Sequence, residues 1–177
     1  MTKRLAYVGL GSNVGNRLRN LREGVGRLSR VVEVLRASSV YETAPVGVPG
    51  RQPLFLNAVV ECMSSLGPGE LVREFKRIEA ELGRDLGAPP LSPRPLDLDL
   101  LVVEGLEGRF GEVELPHPRM FERAFVLVPL SELRPDLSGP NGRPIPELAA
   151  ELSKSQRVVW HAPPWALLPH RRWTTSP

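Results

Sequence analysis

The chain has 177 residues, of which 41% are hydrophobic and 24% charged, and a net charge of +3, an ordinary balance for one globular domain with a sizeable core. Its single cysteine, Cys62, excludes an intrachain disulfide and a cysteine-built metal site. No run of 18 or more apolar residues occurs, so no membrane span is expected, and because the N-terminus leads directly into a strand without a signal peptide, a cytoplasmic location is expected. Lysine appears only at Lys3, Lys76 and Lys154, and arginine supplies the remaining positive charge. Arginine is the better bidentate ligand for phosphate, which makes a nucleotide a plausible partner without requiring a nucleic-acid surface. A general arginine bias has other origins, so only the positions of particular arginines carry weight.

In chain order, Leu5 to Leu10 is a short apolar run ending at Gly11, which reads as a buried strand. A turn over Gly11-Ser12-Asn13-Val14-Gly15 precedes a helix from about Asn16 to Ser29, with Leu18, Leu21, Val25 and Leu28 at helical spacing. The glycines invite comparison with a dinucleotide fingerprint, but the third comes one residue too late and no P-loop pattern occurs. Val31 to Tyr41 is β-branched and resembles a second strand. Thr43 to Pro53 holds three prolines and two glycines and reads as a restricted loop. Leu54 to Met63 is the next strand, its apolar pattern interrupted by Asn57.

Pro68 opens a second helix with Leu71, Phe75, Ile78 and Leu82 on one face, stopped by Gly83. A proline-rich loop follows from Arg84 to Pro95, then a strand from Asp97 to Val103 and a polar hairpin-like stretch around Gly105 to Gly111. Pro116 to Arg123 is irregular, Ala124 to Leu133 a short helix, and Pro146 to Leu152 a final turn or two. The order strand, helix, strand, strand, helix, strand predicts an α+β sandwich of ferredoxin-like type, with packed helices on a mostly antiparallel sheet. Residues 1–157 form the expected domain; residues 158–177, with Trp160, Trp165 and Trp173 among prolines and no periodicity, read as a C-terminal extension.

The most informative stretch is Arg94-Pro95-Leu96-Asp97-Leu98-Asp99-Leu100-Leu101. On a strand, Asp97 and Asp99 share one face and Leu96, Leu98 and Leu100 the other. Two strand steps span roughly 6.6 Å, which suits carboxylates bracketing two metal ions about 3.5 to 4 Å apart. An exposed polar strand face, or a pair bridged by arginine, fits the same eight residues. Arg84 and Arg94 stand at the two ends of the proline-rich loop, which fits two solvated loop arginines or, with the Asp pair beside them, two guanidinium forks folded over a phosphate chain. Leu115-Pro116-His117-Pro118-Arg119, followed by Arg123, adds a further cationic cluster without zinc-ligand spacing. Rival readings are another Asp-x-Asp transferase and, from a different class, a nucleic-acid-binding ferredoxin-like domain. The latter predicts stacked aromatics, whereas aromatic residues are only 6% of this chain.

Five segments carry a specific resemblance: Tyr7-Val8-Gly9-Leu10-Gly11-Ser12-Asn13, Tyr41-Glu42-Thr43-Ala44-Pro45, Phe55-Leu56-Asn57-Ala58, Arg94 to Asp99, and Pro116-His117-Pro118-Arg119. In this order and spacing the chain resembles the 6-hydroxymethyl-7,8-dihydropterin pyrophosphokinases of folate biosynthesis, from about Tyr7 to Leu133. The resemblance implies a ferredoxin-like fold and transfer of the β,γ-diphosphoryl group of ATP to the pterin hydroxymethyl oxygen, with release of AMP. It implies that Asp97 and Asp99 hold two Mg2+ ions and that Arg84, Arg94, His117 and Arg123 clamp the ATP triphosphate, with Glu79 as a further nucleotide contact. It also implies that Thr43, Val46, Phe55, Asn57 and Phe125 take the pterin. Arg84, Arg94, Asp97 and Asp99 are then the expected catalytic set. The expected partners are these two small molecules, with no nucleic acid and no membrane, acting on a monomer. The chain departs from the family pattern at Leu91 and Ser92, where many members have Trp and Gly, and at Phe55 and Pro118, where a Tyr hydroxyl is missing.

Overall fold

The computed structural model describes residues 2–46, 52–83, 87–89 and 92–168. Arg84, Leu91 and His170 lie outside these residues. The first strand, β1 (Arg4–Ser12), sends Ala6, Val8 and Leu10 into one apolar cluster and Tyr7 into another, and by the same alternation Gly9 and Gly11 share the Tyr7 face. It pairs antiparallel with β4 (Phe55–Ser64) on one side and β5 (Asp97–Val103) on the other. The strand therefore runs through Gly11, which the sequence places in a turn. Gly11 is held by two ladders at once, opposite Asn57 and Asp97, and the positive φ needed for the turn is supplied by Gly15 instead.

Helix α1 (Arg17–Leu28) follows, its N-cap Asn16 accepting a hydrogen bond from the Arg19 N–H. The β-branched stretch expected as one strand is two, β2 (Glu33–Ala37) and β3 (Val40–Thr43). Ser38 separates them: its N–H donates to the Val59 carbonyl and its hydroxyl oxygen accepts from the Val59 N–H. The side chain thus replaces a rung of the ladder and lets the strand bend. Helix α2 (Pro68–Glu81) buries Leu71, Phe75 and Ile78, and the chain leaves it at Gly83 with φ +92°. The hairpin lies slightly later than expected, as β6 (Gly108–Phe110) and β7 (Val113–Leu115), because Gly111, with φ +65°, makes its turn. A 3-10 turn at Met120–Glu122 leads into helix α3 (Ala124–Leu133), and α4 (Ile145–Leu152) comes next.

The segment after Arg157 docks by sheet pairing. Strand β8 (Val158–Ala162) pairs antiparallel with β3, and Ala166 and Leu167 beyond it are buried in the main core. The guanidinium of Arg22 on α1 anchors this turn by donating to the Ala166 carbonyl at 2.6 Å. The sheet order is β5-β1-β4-β3-β8, with β2 also beside β4, and every pairing is antiparallel. Leu21, Val25, Phe75 and Ile78 from α1 and α2 pack with Val8, Leu10, Leu98 and Leu100 on one face. Leu127 and Leu130 from α3 and Ile145 and Ala149 from α4 pack with Tyr7, Val59 and Leu101 on the other. This is the expected α+β sandwich, and its strand order is compatible with the ferredoxin-like arrangement. Among the described residues no helix is long and apolar enough to cross a membrane.

Candidate active site

Strand β5 is at the edge of the sheet, and its alternation builds the site. Leu96, Leu98 and Leu100 are buried in the core beneath α1 and α2, whereas Asp97 and Asp99 are half-buried. Their register partners on β1 are Gly11 and Gly9, so no side chain from the neighbouring strand fills the space beside the carboxylates. Gly11 is also required by a close approach: a Cβ there would lie 2.7 Å from Asn57 Oδ1 and 3.5 Å from the Phe55 ring. A cleft of about 890 Å³ opens over this floor and continues around the free edge of β5 to the flank of α2.

Eleven of the twelve site residues expected from the sequence, namely Thr43, Val46, Phe55, Asn57, Glu79, Arg94, Asp97, Asp99, His117, Arg123 and Phe125, line this one cleft; the twelfth, Arg84, lies outside the described residues. At one end, Asn57 Nδ2 donates to Thr43 Oγ1 at 2.6 Å, with both residues buried. Phe55 and Phe125 stand beside this amide as half-buried rings, and Val46 is exposed at the rim. Such an arrangement suits a flat polar heterocycle, ring faces against its plane and an amide at its edge.

The other end is cationic. Arg94 Nη1 lies 3.6 Å from Asp97 Oδ1, and among the described residues Arg94 Nε is buried without a hydrogen-bond partner. Arg94 also lines the cleft, where a guanidinium suits an anionic oxygen. The backbone of Arg94 is fixed by Asn13, whose Oδ1 accepts from the Arg94 N–H at 2.8 Å while its own N–H donates to the Arg94 carbonyl at 3.2 Å. Asn13 also donates from Nδ2 to Gln52 Oε1 at 3.3 Å. The sequence places Asn13 in a turn and in the first of the five resembling segments, but its hold on Arg94 depends on a contact 81 residues away.

His117 is held from both sides. Its backbone N–H donates to the Leu101 carbonyl at 2.8 Å, and its Nδ1 accepts from the Arg119 N–H at 3.2 Å. That acceptor role leaves Nε2 as the protonated nitrogen of the neutral ring, available to donate to an anion. Burial and the neighbouring charges of Arg123 and Arg119 push the His117 pKa below its usual value. Arg123 lies with its guanidinium 5.5 Å from the centre of the Phe125 ring, joining the cationic end to the aromatic end. Arg119 and Lys76 also line the cleft. Lys76 lies three residues before Glu79 on α2, so the helical period that brings Glu79 to the cleft brings Lys76 too.

Glu79 is buried, and its Oε2 accepts from the Leu98 N–H of β5 at 3.0 Å. Its carboxylate thus satisfies the sheet edge between the two aspartates, in addition to lining the cleft. Among the described residues no group of three or more His, Cys, Asp and Glu side chains converges on a point. Two half-buried carboxylates facing an open cleft fit a hard cation that keeps waters and takes its remaining oxygens from a phosphate, as Mg2+ does, and fit poorly a fully protein-caged ion. Ser92, one of the departures from the expected loop pattern, donates from Oγ to the Pro89 carbonyl at 2.6 Å.

Comparison with known proteins places this geometry. The family model of 7,8-dihydro-6-hydroxymethylpterin-pyrophosphokinase matches residues 7–135. The chain is 44% identical over 131 residues to the 2-amino-4-hydroxy-6-hydroxymethyldihydropteridine pyrophosphokinase of Bacillus subtilis, covering 73% of this chain and 77% of that protein. It is 44% identical over 133 residues to the mitochondrial folate synthesis bifunctional protein of Arabidopsis thaliana, covering 75% of this chain but only 24% of that longer protein. Among solved structures, the HPPK-DHPS protein of Plasmodium falciparum crystallised with pteroate superposes with a TM-score of 0.68 at 12% identity, covering 86% of this chain and 45% of that one. At that identity the likeness is one of fold.

Proposed function

Because the chain belongs to the 7,8-dihydro-6-hydroxymethylpterin pyrophosphokinase family, we propose that its cleft transfers the β,γ-diphosphoryl group of ATP to the hydroxymethyl oxygen of 6-hydroxymethyl-7,8-dihydropterin in folate biosynthesis. The observation that carries the reading is the polarity of the cleft: an aromatic and amide pocket at Phe55, Asn57 and Phe125 is continuous with a cationic and carboxylate floor at Arg94, Asp97, Asp99, His117 and Arg123.

The pterin lies between Phe55 and Phe125, with the amide of Asn57 held in one orientation by Thr43, so its hydroxymethyl group points along the floor toward Asp97 and Asp99. Arg94, His117 and Arg123, together with Arg84, hold the triphosphate and draw charge off the phosphoryl oxygens as it builds up. The pterin oxygen attacks the β-phosphorus in line, the bond from that phosphorus to the α,β-bridging oxygen breaks, AMP departs with that oxygen, and the hydroxyl proton is lost to the medium. Asp97 and Asp99 would hold two Mg2+ ions, which when bound neutralise phosphate oxygens and align the attacking and leaving groups. The main contribution of the protein is positioning, since bringing two bound reactants into line replaces a collision in solution.

Incubation with Mg-ATP and 6-hydroxymethyl-7,8-dihydropterin tests the reading, with AMP and the pterin diphosphate expected as products. Accumulation of ADP would indicate an ordinary kinase and overturn it. Chelation of divalent cations should stop turnover, and activity that survives chelation would remove Asp97 and Asp99 from a metal role.

A further inference from the structure

Arg123 occupies an unusual piece of backbone. It is a single extended residue, φ −123° and ψ 107°, between the 3-10 turn at Met120–Glu122 and the first turn of α3. As the N-cap of α3 it makes no side-chain capping bond, so its own side chain cannot fix the entry to the helix. That task falls to Gln156, 32 residues beyond Ala124. The Gln156 Oε1 accepts from the Ala124 N–H at 2.8 Å, and its Nε2 donates to the Glu122 carbonyl at 2.9 Å. These groups belong to the two peptide units on either side of Arg123. One side-chain amide therefore holds both planes whose mutual angle sets the direction of the Arg123 side chain. A primary amide can do this because it offers an acceptor and a donor on one short plane; a carboxylate lacks the donor and an alanine lacks both.

Gln156 is itself anchored. Its N–H donates to the Leu152 carbonyl at the end of α4, at 2.9 Å, and the next residue, Arg157, accepts from the Ala44 N–H at 3.3 Å just before β8 begins. Ala44, next to Thr43, lines the cleft as Arg123 does. The dipeptide Gln156-Arg157 thus ties the backbone of the pterin wall to the backbone that carries Arg123, without lining the cleft.

We propose that Gln156 is a positioning residue for the transfer reaction, acting through Arg123 to set the grip on the ATP triphosphate. This rests on the reading of Arg123 as a triphosphate contact. The full chain serves for the test, with KM for ATP, KM for the pterin, kcat and the thermal midpoint measured for Gln156→Ala, Gln156→Glu, Arg123→Ala and the double variant Gln156→Ala/Arg123→Ala. Gln156→Ala is expected to raise the KM for ATP about tenfold, the scale on which small displacements of a substrate-holding group act, with the KM for the pterin much less affected. Gln156→Glu keeps the length and the acceptor but loses the donor, so it should share the defect, and it also serves should the alanine variant fail to fold. In the Arg123→Ala background, Gln156→Ala should cause no further rise in the KM for ATP, because the group it orients is gone. A normal KM for ATP in both Gln156 variants, with Arg123→Ala impaired, would overturn the proposal alone, as would an equal rise with and without Arg123. A normal KM for ATP in Arg123→Ala would instead overturn the site reading beneath it.

Discussion

The same face of the sheet carries two clusters of charge, and they are built oppositely. Away from the cleft, Tyr7, Glu61 and Arg36 stand in one row across β1, β4 and β2, each the register partner of the next. Tyr7 donates to Glu61 at 2.6 Å, Arg36 grips both Glu61 oxygens at 3.1 and 2.9 Å, and Arg134 joins from beyond α3, donating to the Tyr7 hydroxyl and pairing with Asp136. Arg36 also donates to the Leu133 carbonyl at the end of α3. In this row each of these donors meets an acceptor, and none of the four side chains lines the cleft. At the other cluster, Arg94 Nε is buried with no hydrogen-bond partner among the described residues, and Asp97 and Asp99 line a cleft of about 890 Å³. Composition does not distinguish the two clusters, since both are arginine with carboxylate. What separates them is setting: the row is tied to its own neighbours and to the end of α3, whereas the other cluster lines a cleft large enough for a ligand.

Removing the acids should give the largest contrast. Asp97→Asn and Asp99→Asn each leave the backbone and the apolar side of β5 intact, so thermal stability should stay within about 4 °C of the parent, the scale of a change near 1 kcal/mol. Turnover should fall about a hundredfold to a thousandfold, the range seen when one electrostatic element of a transition-state site is lost. Steady-state assay beside thermal melts checks both, and near-normal turnover in either variant would break the assignment of the pair. A smaller effect is expected from Arg94→Lys, which keeps the charge but loses the fork and the unmatched Nε–H. The KM for ATP should rise about tenfold, equivalent to roughly 1.4 kcal/mol, with the fold preserved because Asn13 holds the backbone and not the side chain of that residue.

Legibility from sequence follows the same division. The faces of β5 were readable because a two-residue period within a leucine run leaves the aspartates only one place to go, and the bounds Asp97–Val103 and Ala124–Leu133 follow from prolines and polar residues at the ends. The residues that complete the site were less visible where their meaning depends on distant partners. Gln156 bonds across 32 residues and Asn13 across 81, and neither sits in a periodic pattern. The break at Ser38 was hidden because a serine inside a β-branched run looks like a tolerated strand residue until its hydroxyl is seen taking a ladder bond. Strand β8 was hidden for a related reason. Its partner β3 is an edge that only the folded sheet exposes, and Val159 and Trp160 remain exposed, so no alternation marks it.

The row away from the cleft yields the sharpest counter-prediction, since it should respond in stability and not in turnover. Burial raises the Glu61 carboxyl, but hydrogen bonds from Arg36 and Tyr7 outweigh it and bring its pKa below the usual 4.5. The same environment keeps Tyr7 protonated as the donor, burial first and then the bond to Glu61 pushing its hydroxyl to about 12. A depressed acid contributes stability that is complete above its unfolded value and is lost as pH falls through its folded value. Glu61→Gln should therefore cost about 1–2 kcal/mol at neutral pH, the charge-assisted share of these bonds, discounted because Arg36 is half exposed. As pH falls below 4.5 toward the depressed pKa of Glu61, the difference between parent and variant should shrink, because the parent loses what the variant never had. Urea titrations at neutral and acidic pH measure it, and a constant difference would show that packing and not charge carries the contribution of Glu61. Turnover at neutral pH should remain within about twofold of the parent, since Glu61 lies outside the cleft and distant sites act independently. A turnover loss comparable to that of Asp97→Asn would mean that the two clusters are one network.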